Sequence, residues 1–176
     1  MRGRLPCLGQ GMPIQGSFDT IGNGDMLTVL RQSMRLSGKV SSGLGRAHVF
    51  MAQRHYQDQF RPIISMTAWP GTLNVEVEGE MLTEYRKLRV SAGIEEGEAS
   101  SFTALRINGF ERDGVSFGGA TAFNARIISG DHEEDCAILI PDLTRHEDVA
   151  EIICGKFLRE SMQLVDGDVV EIQLLN

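Results

Sequence analysis

The sequence predicts a mainly β chain that closes into a small barrel carrying one or two short helices. Three observations lead there. Short segments of alternating apolar and polar residues recur between Gly, Pro and Asp turns, the mark of half-buried strands. Little of the intervening chain has helical periodicity, which disfavours a layered α/β fold. Finally, the turn Asp166-Gly167-Asp168 leads into Val169 to Leu175, where Val170, Ile172 and Leu174 share one side, as in a strand facing a core.

Residues 1–24 carry six glycines together with Pro6 and Pro13, a density of breakers that argues against a packed element. Met26 to Leu36 fits one short helix, so residues 1–36 are expected to form an irregular arm or the remnant of an extension, and residues 37–176 the barrel domain. Gly38 to Ser42 is the first expected strand, closed by Gly43-Leu44-Gly45. Ala47 to Met51 is expected to be extended, and Tyr56 to Ile64 to hold a helical turn. Pro70-Gly71 reverses the chain into a strand in which Val75 and Val77 alternate with Glu76 and Glu78. Ser91 to Ser101 is polar and Gly/Glu-rich, a loop. Arg106 to Phe110 and Val115 to Phe117 flank Glu111-Arg112-Asp113-Gly114, a hairpin signal. Thr121 to Ile128 alternates in part, Asp131 to Asp135 is a charged turn, and Cys136 to Pro141 is a buried strand. Residues 147–162, broken by Gly155, are the best helical candidate.

The chain has 176 residues and a net charge of −7. Residues 1–50 hold six Lys or Arg against two Asp or Glu, giving +4, while the remainder holds eleven against twenty-two, giving −11. An acidic body argues against non-specific nucleic-acid binding, which depends on neutralising phosphates. Cys7, Cys136 and Cys154 are widely spaced and form no C-x-x-C pair, so neither a zinc ribbon nor a disulfide framework is indicated. Reduced thiols, no membrane-spanning run and no signal-peptide core make a cytoplasmic protein the expectation.

Within Pro70-Gly71-Thr72-Leu73-Asn74, a strand geometry points Thr72 and Asn74 to one face. A hydroxyl and an amide carbonyl there can hold a hard cation whose charge is balanced mainly by substrate phosphates; the alternative is a hairpin corner in which both satisfy local backbone groups. In Gly43-Leu44-Gly45 the backbone can approach a phosphate closely, with Arg46 and His48 adding charge, although the spacing alone favours an ordinary turn. No G-x-x-x-x-G-K-[ST], G-x-S-x-G or H-E-x-x-H occurs, which removes the P-loop and the commonest hydrolase and zinc-protease readings. Thr144, His146 and Glu151 form a polar cluster able to bond a polar heterocycle, but the spacing favours Thr144 as an N-cap with Glu147 completing a capping box. Arg159 suits either a phosphate or a surface carboxylate. Trp69 either stacks on a flat ligand or packs, and Asp131 to Asp135 is a solvated turn.

Leu158-Arg159-Glu160 to Leu164, followed by Asp166-Gly167-Asp168-Val169-Val170, resembles the swapped-hairpin and cradle-loop barrels, which include bacterial transition-state DNA-binding regulators. Taken in order, Gly38-Lys39-Val40-x-Ser42-Gly43-Leu44-Gly45, Tyr56-x-x-x-Phe60 and Pro70-Gly71-Thr72-Leu73-Asn74-Val75 resemble the archaeal CTP-dependent riboflavin kinases. The likeness continues through Phe117-Gly118, Ile138 to Pro141, Thr144, Glu151-Ile152-Ile153 and the C-terminal motifs, covering about residues 37–175. Where that family commonly continues Gly-Leu-Gly with Glu-Gly, this chain has Arg46-Ala47.

The resemblance implies a six-stranded cradle-loop barrel, related to the swapped-hairpin barrels, that transfers the terminal phosphate of CTP to riboflavin, giving CDP and FMN. It implies that Thr72 and Asn74 ligate Mg²⁺. Leu44, Gly45, Arg46, Ala47, His48 and Val49 would lie against the nucleotide, with Lys156, Phe157, Leu158 and Arg159 closing over its other side. Thr144 and Glu151 would contact the flavin, Glu151 being the nearest candidate for a general base. A monomer is expected. The alternative class is a non-catalytic barrel that binds flavin or DNA as a regulator, against whose DNA form the acidic body counts.

Overall fold

In the computed structural model the described residues are 34–43, 45 and 47–176. The expected arm therefore lies outside them up to residue 33, as do Leu44 and Arg46. The described residues form nine strands and four helices. In chain order these are β1 (Arg35–Ser41), α1 (Ala47–Met51), α2 (Arg54–Ile64), β2 (Leu73–Glu76), α3 (Gly79–Ser91), β3 (Leu105–Ile107) and β4 (Phe110–Arg112). They continue as β5 (Val115–Phe117), β6 (Ala120–Ser129), β7 (His132–Pro141), β8 (Val149–Ile153), α4 (Leu158–Ser161) and β9 (Val169–Leu174).

Six strands close into a barrel in the order β6-β7-β8-β2-β1-β9, with β9 returning to β6, and every pairing is antiparallel. Closure leaves no free edge around the ring. On the edge of β6 away from β7, β3 pairs with Ala120–Ala122 and β9 with Ala125–Ile128. The short hairpin β4–β5 stands apart as its own two-stranded sheet; its turn residues Asp113 and Gly114 both have positive φ, 54° and 72°, as a two-residue primed turn requires.

The pleat sorts the side chains. Leu73 and Val75 of β2, Phe123, Ala125 and Ile127 of β6, Ile138 and Ile140 of β7, and Ala150 and Ile152 of β8 fill the barrel interior. Their neighbours Ala122, Ala137, Leu139 and Ile153 face outward and join a second core with Tyr56, Phe60 and Ile64 of α2. Those three recur every four residues, so one face of α2 lies on the barrel wall. Alanines at 120, 122 and 137 keep that wall low enough for the helix to approach.

Four expectations need correction. Ala47 to Met51 is a helical turn rather than extended, with Met51 buried beneath it. Asp131 to Asp135 is not one turn, because β7 begins at His132 and only Gly130-Asp131 connects it to β6. Residues 147–162 are not a helix: Val149–Ile153 is a strand bonded to β2 on one edge and β7 on the other, and only Leu158–Ser161 is helical. Paired edges on both sides outweigh the propensity of a segment whose apolar spacing suits either state. The helix α3, which no apolar periodicity predicts, buries Tyr85 and Leu88 in the barrel core. Tyr85 Oη donates to the Val149 carbonyl at 2.9 Å, tying α3 to the start of β8. The strand β1 begins at Arg35, three residues ahead of the expected start at Gly38.

Candidate active site

The outward face of β2 carries the site. With Leu73 and Val75 inside, Thr72 and Asn74 stand outside, and the Thr72 hydroxyl donates to Asn74 Oδ1 at 3.3 Å. Asn74 is registered opposite Ser41 of β1 and Glu151 of β8, so three neighbouring strands present polar side chains on one patch. The chain leaving β1 passes over this patch at Gly43, where an added Cβ would lie 2.6 Å from Asn74 Nδ2; only glycine fits without displacing the amide. Gly45 has φ +66°, a conformation that suits glycine, and its carbonyl lies 2.9 Å from His48 Nδ1, which donates to it.

These residues border an open cleft of about 470 Å³, lined among others by Ser41, Gly43, Gly45, Ala47, His48, Pro70, Thr72, Asn74, Phe157 and Arg159. Arg159 Nη2 donates to the Ser41 carbonyl at 2.9 Å and to Asp166 Oδ1 at 2.6 Å. Ser42 Oγ donates to the other oxygen of Asp166 at 2.6 Å. Ser42 first and Arg159 second hold the Asp166 carboxyl below the usual carboxylate range, and the three together pin the C-terminal segment to the end of β1.

A second cavity of about 420 Å³ opens between the α1–α2 face and the barrel wall. Its lining is mostly apolar, including Phe50, Tyr56, Phe60, Ile107, Leu139 and Leu143, with Thr144 and Glu151 among its few polar residues. Both volumes fall in the range of about 300–1,000 Å³ typical of small-molecule sites. The two share Ala47, His146 and Glu151, so the cavity and the cleft adjoin at these residues. Burial pushes the Glu151 carboxyl above its ordinary range, opposed by the charge of His146 and by the neighbouring Thr72 hydroxyl.

Of the residues singled out from sequence, Gly45, Ala47, His48, Thr72, Asn74, Phe157, Arg159 and Glu151 come together around the cleft, and Thr144 lines the apolar cavity. Leu44 and Arg46 lie outside the described residues. Val49 lies outside both linings and is exposed. Lys156 and Leu158 border a small neighbouring recess; the Lys156 ammonium pairs with Glu134 at 2.7 Å and the Leu158 side chain is core. Thr144 is not a helix cap: no helix follows it, and its Oγ1 accepts the His146 N–H at 3.3 Å within a turn. Trp69 and Phe157 stack at 5.3 Å. The apolar lining from Phe50 and Leu143 was missed. Its one sequence signal was the four-residue spacing of Tyr56 and Phe60.

Thr72 and Asn74 fit a small hard cation. Their oxygens are 3.3 Å apart, near the roughly 3 Å edge of an octahedron with ~2.1 Å metal–oxygen bonds. Among the described residues no group of three His, Cys, Asp or Glu could enclose a metal, so a cation here would depend on ligand oxygens.

The family model named CTP-dep_RFKase, described as "Domain of unknown function DUF120", matches residues 40–174. A riboflavin kinase of Thermoplasma acidophilum is 31% identical over 148 residues, 84% of this chain and 60% of that protein. One of Haloquadratum walsbyi is 32% identical over 143 residues, 80% of this chain and 56% of that protein. One of Pyrobaculum aerophilum is 33% identical over 144 residues, 81% and 61% respectively. The chain thus spans about 60% of the length of these curated relatives.

Proposed function

The chain belongs to the CTP-dependent riboflavin kinase domain family, and we propose that it transfers the terminal phosphate of CTP to riboflavin, giving FMN and CDP with Mg²⁺ as cofactor. The observation that carries the reading is the meeting of an apolar, flavin-sized cavity with a polar, glycine-lined cleft at Glu151.

In this arrangement the isoalloxazine ring lies among Phe50, Tyr56, Phe60 and Leu143, with Thr144 bonding its polar edge. The ribityl chain then runs toward Glu151. The nucleotide phosphates lie along Gly43–His48, with Arg159 on the far wall. Thr72 Oγ1 and Asn74 Oδ1 would hold Mg²⁺, which supplies neutralisation of phosphate charge when bound. Phosphoryl transfer needs chiefly positioning and charge stabilisation, so few protein groups have to act chemically. Glu151 accepts the proton of the terminal ribityl hydroxyl as its oxygen bonds to phosphorus. A carboxylate held above its ordinary range by burial is a better proton acceptor than a solvated one. Cys136 and Cys154 are buried free thiols, in keeping with a reducing compartment, and we take the enzyme to act there as a monomer; no helix among the described residues is long and apolar enough to cross a membrane.

Titrating the protein with riboflavin and following the quenching of flavin fluorescence tests the acceptor half of the reading. Saturable binding, unchanged or tightened by CDP and Mg²⁺, supports it; a folded protein that leaves riboflavin fluorescence unchanged contradicts it.

A further inference from the structure

Among the residues that border both cavities, Ala47 has no functional group and Glu151 is the proton acceptor, which leaves His146. Its loop joins β7 to β8, and two hydrogen bonds fix the backbone there. The His146 N–H donates to Thr144 Oγ1 at 3.3 Å, and Arg89 Nη1 donates to the His146 carbonyl at 2.7 Å. Arg89 comes from the last turn of α3 and is only 4% exposed. Its Nε donates to Glu95, also an ion pair. A buried guanidinium is costly unless its donors are satisfied. Here one of its bonds goes to the backbone of a residue that is itself exposed.

We propose that His146 is a catalytic residue that donates a hydrogen bond from its imidazole to the phosphoryl group in flight, and that Arg89 is the positioning residue that holds it at the junction. The inference rests on the kinase reading. In the step, the ribityl oxygen bonds to the terminal phosphorus of the nucleotide while its proton passes to the Glu151 carboxylate. The bond from that phosphorus to the bridging oxygen breaks, and its electron pair leaves with CDP. His146 keeps its proton throughout. Its N–H lies where negative charge collects on the transferring oxygens, and such a donor contributes most in the transition state. The influence of His146 on the Glu151 carboxyl agrees with an imidazole directed toward this junction.

The test uses the full 176-residue chain and steady-state FMN formation, with riboflavin affinity measured separately by fluorescence. His146→Ala is expected to lower kcat about 100-fold, with KM for both substrates changed less than threefold. His146→Gln, which keeps a donor, should recover at least a tenth of the parent kcat. Arg89→Met should lower kcat less than His146→Ala does, and the double variant should be no slower than His146→Ala alone, since Arg89 acts through His146. Arg89→Lys serves where Arg89→Met fails to fold. A His146→Ala kcat within threefold of the parent, or additive effects in the double variant, would overturn the proposal while leaving the kinase reading standing. Parent protein that makes no FMN would overturn both.

Discussion

Asn74 and Glu151 stand directly opposite one another across the β2–β8 ladder. One antiparallel pairing therefore fixes the proposed metal ligand against the proposed proton acceptor, and a one-residue slip of either strand would turn that strand's side chain into the barrel and break the pair. On the proposed function, the chemistry depends on the barrel's hydrogen bonding, while the ligands are selected by α1, α2 and the loops that line the cavity and cleft.

Asn74→Ala removes one of the two neutral oxygens held 3.3 Å apart. It is expected to lower kcat at least 100-fold while the thermal midpoint moves by only a few degrees, since Asn74 is half-buried on the outer wall. Turnover measured across a Mg²⁺ series checks this; an enzyme active at the parent's Mg²⁺ concentration would remove the metal assignment.

Gly43→Ala separates packing from function. The new methyl would press on the end of the Asn74 side chain, 2.6 Å away, and a side-chain tip moves at little cost. Stability should fall by less than about 1 kcal/mol, while kcat/KM for the nucleotide falls about tenfold or more. Denaturant unfolding and initial rates on the same preparation decide it.

Glu151→Gln should stabilise the ligand-free protein at neutral pH while depressing turnover. Burial raises the folded-state pKa of Glu151 above its unfolded value. Its contribution to stability is therefore full below the unfolded pKa and is lost as pH rises through the folded one. Glutamine cannot ionise, so a gain of about 1 kcal/mol is expected at pH 7, shrinking toward zero as the pH falls below the ordinary carboxylate range. Melting curves at the two ends of that range test the sign.

Leu143 borders the apolar cavity although it is 81% exposed. Covering it with a flavin ring would bury a side chain that contributes little to the unliganded fold. Leu143→Ala should weaken riboflavin binding up to about tenfold, leave the nucleotide KM unchanged and shift stability by less than about 0.5 kcal/mol. A raised nucleotide KM instead would place the flavin elsewhere.

The strand pattern was legible wherever one face is buried and the other wet, as in β2 and β9, because period two records that asymmetry directly. It failed at β8, where Val149, Ala150, Ile152 and Ile153 fit a helical stripe as well as a doubly paired strand, and only the neighbours β2 and β7 decide. It also missed α3, whose burial rests on Tyr85 and Leu88 amid charged residues. Thr72 and Asn74 were legible as a pair because a turn and a strand put them on one face. Phe50 and Leu143 were not, since each acquires its place from segments distant in sequence; His146 was legible as a polar neighbour of Thr144 and Glu151, but not its tie to Arg89 across 57 positions.

The most direct measurement is FMN formation from riboflavin with Mg²⁺ and either CTP or ATP in parallel, separated by chromatography and detected by fluorescence. Product with CTP and little with ATP is the expected result. Folded protein that yields no FMN with either nucleotide would contradict the account.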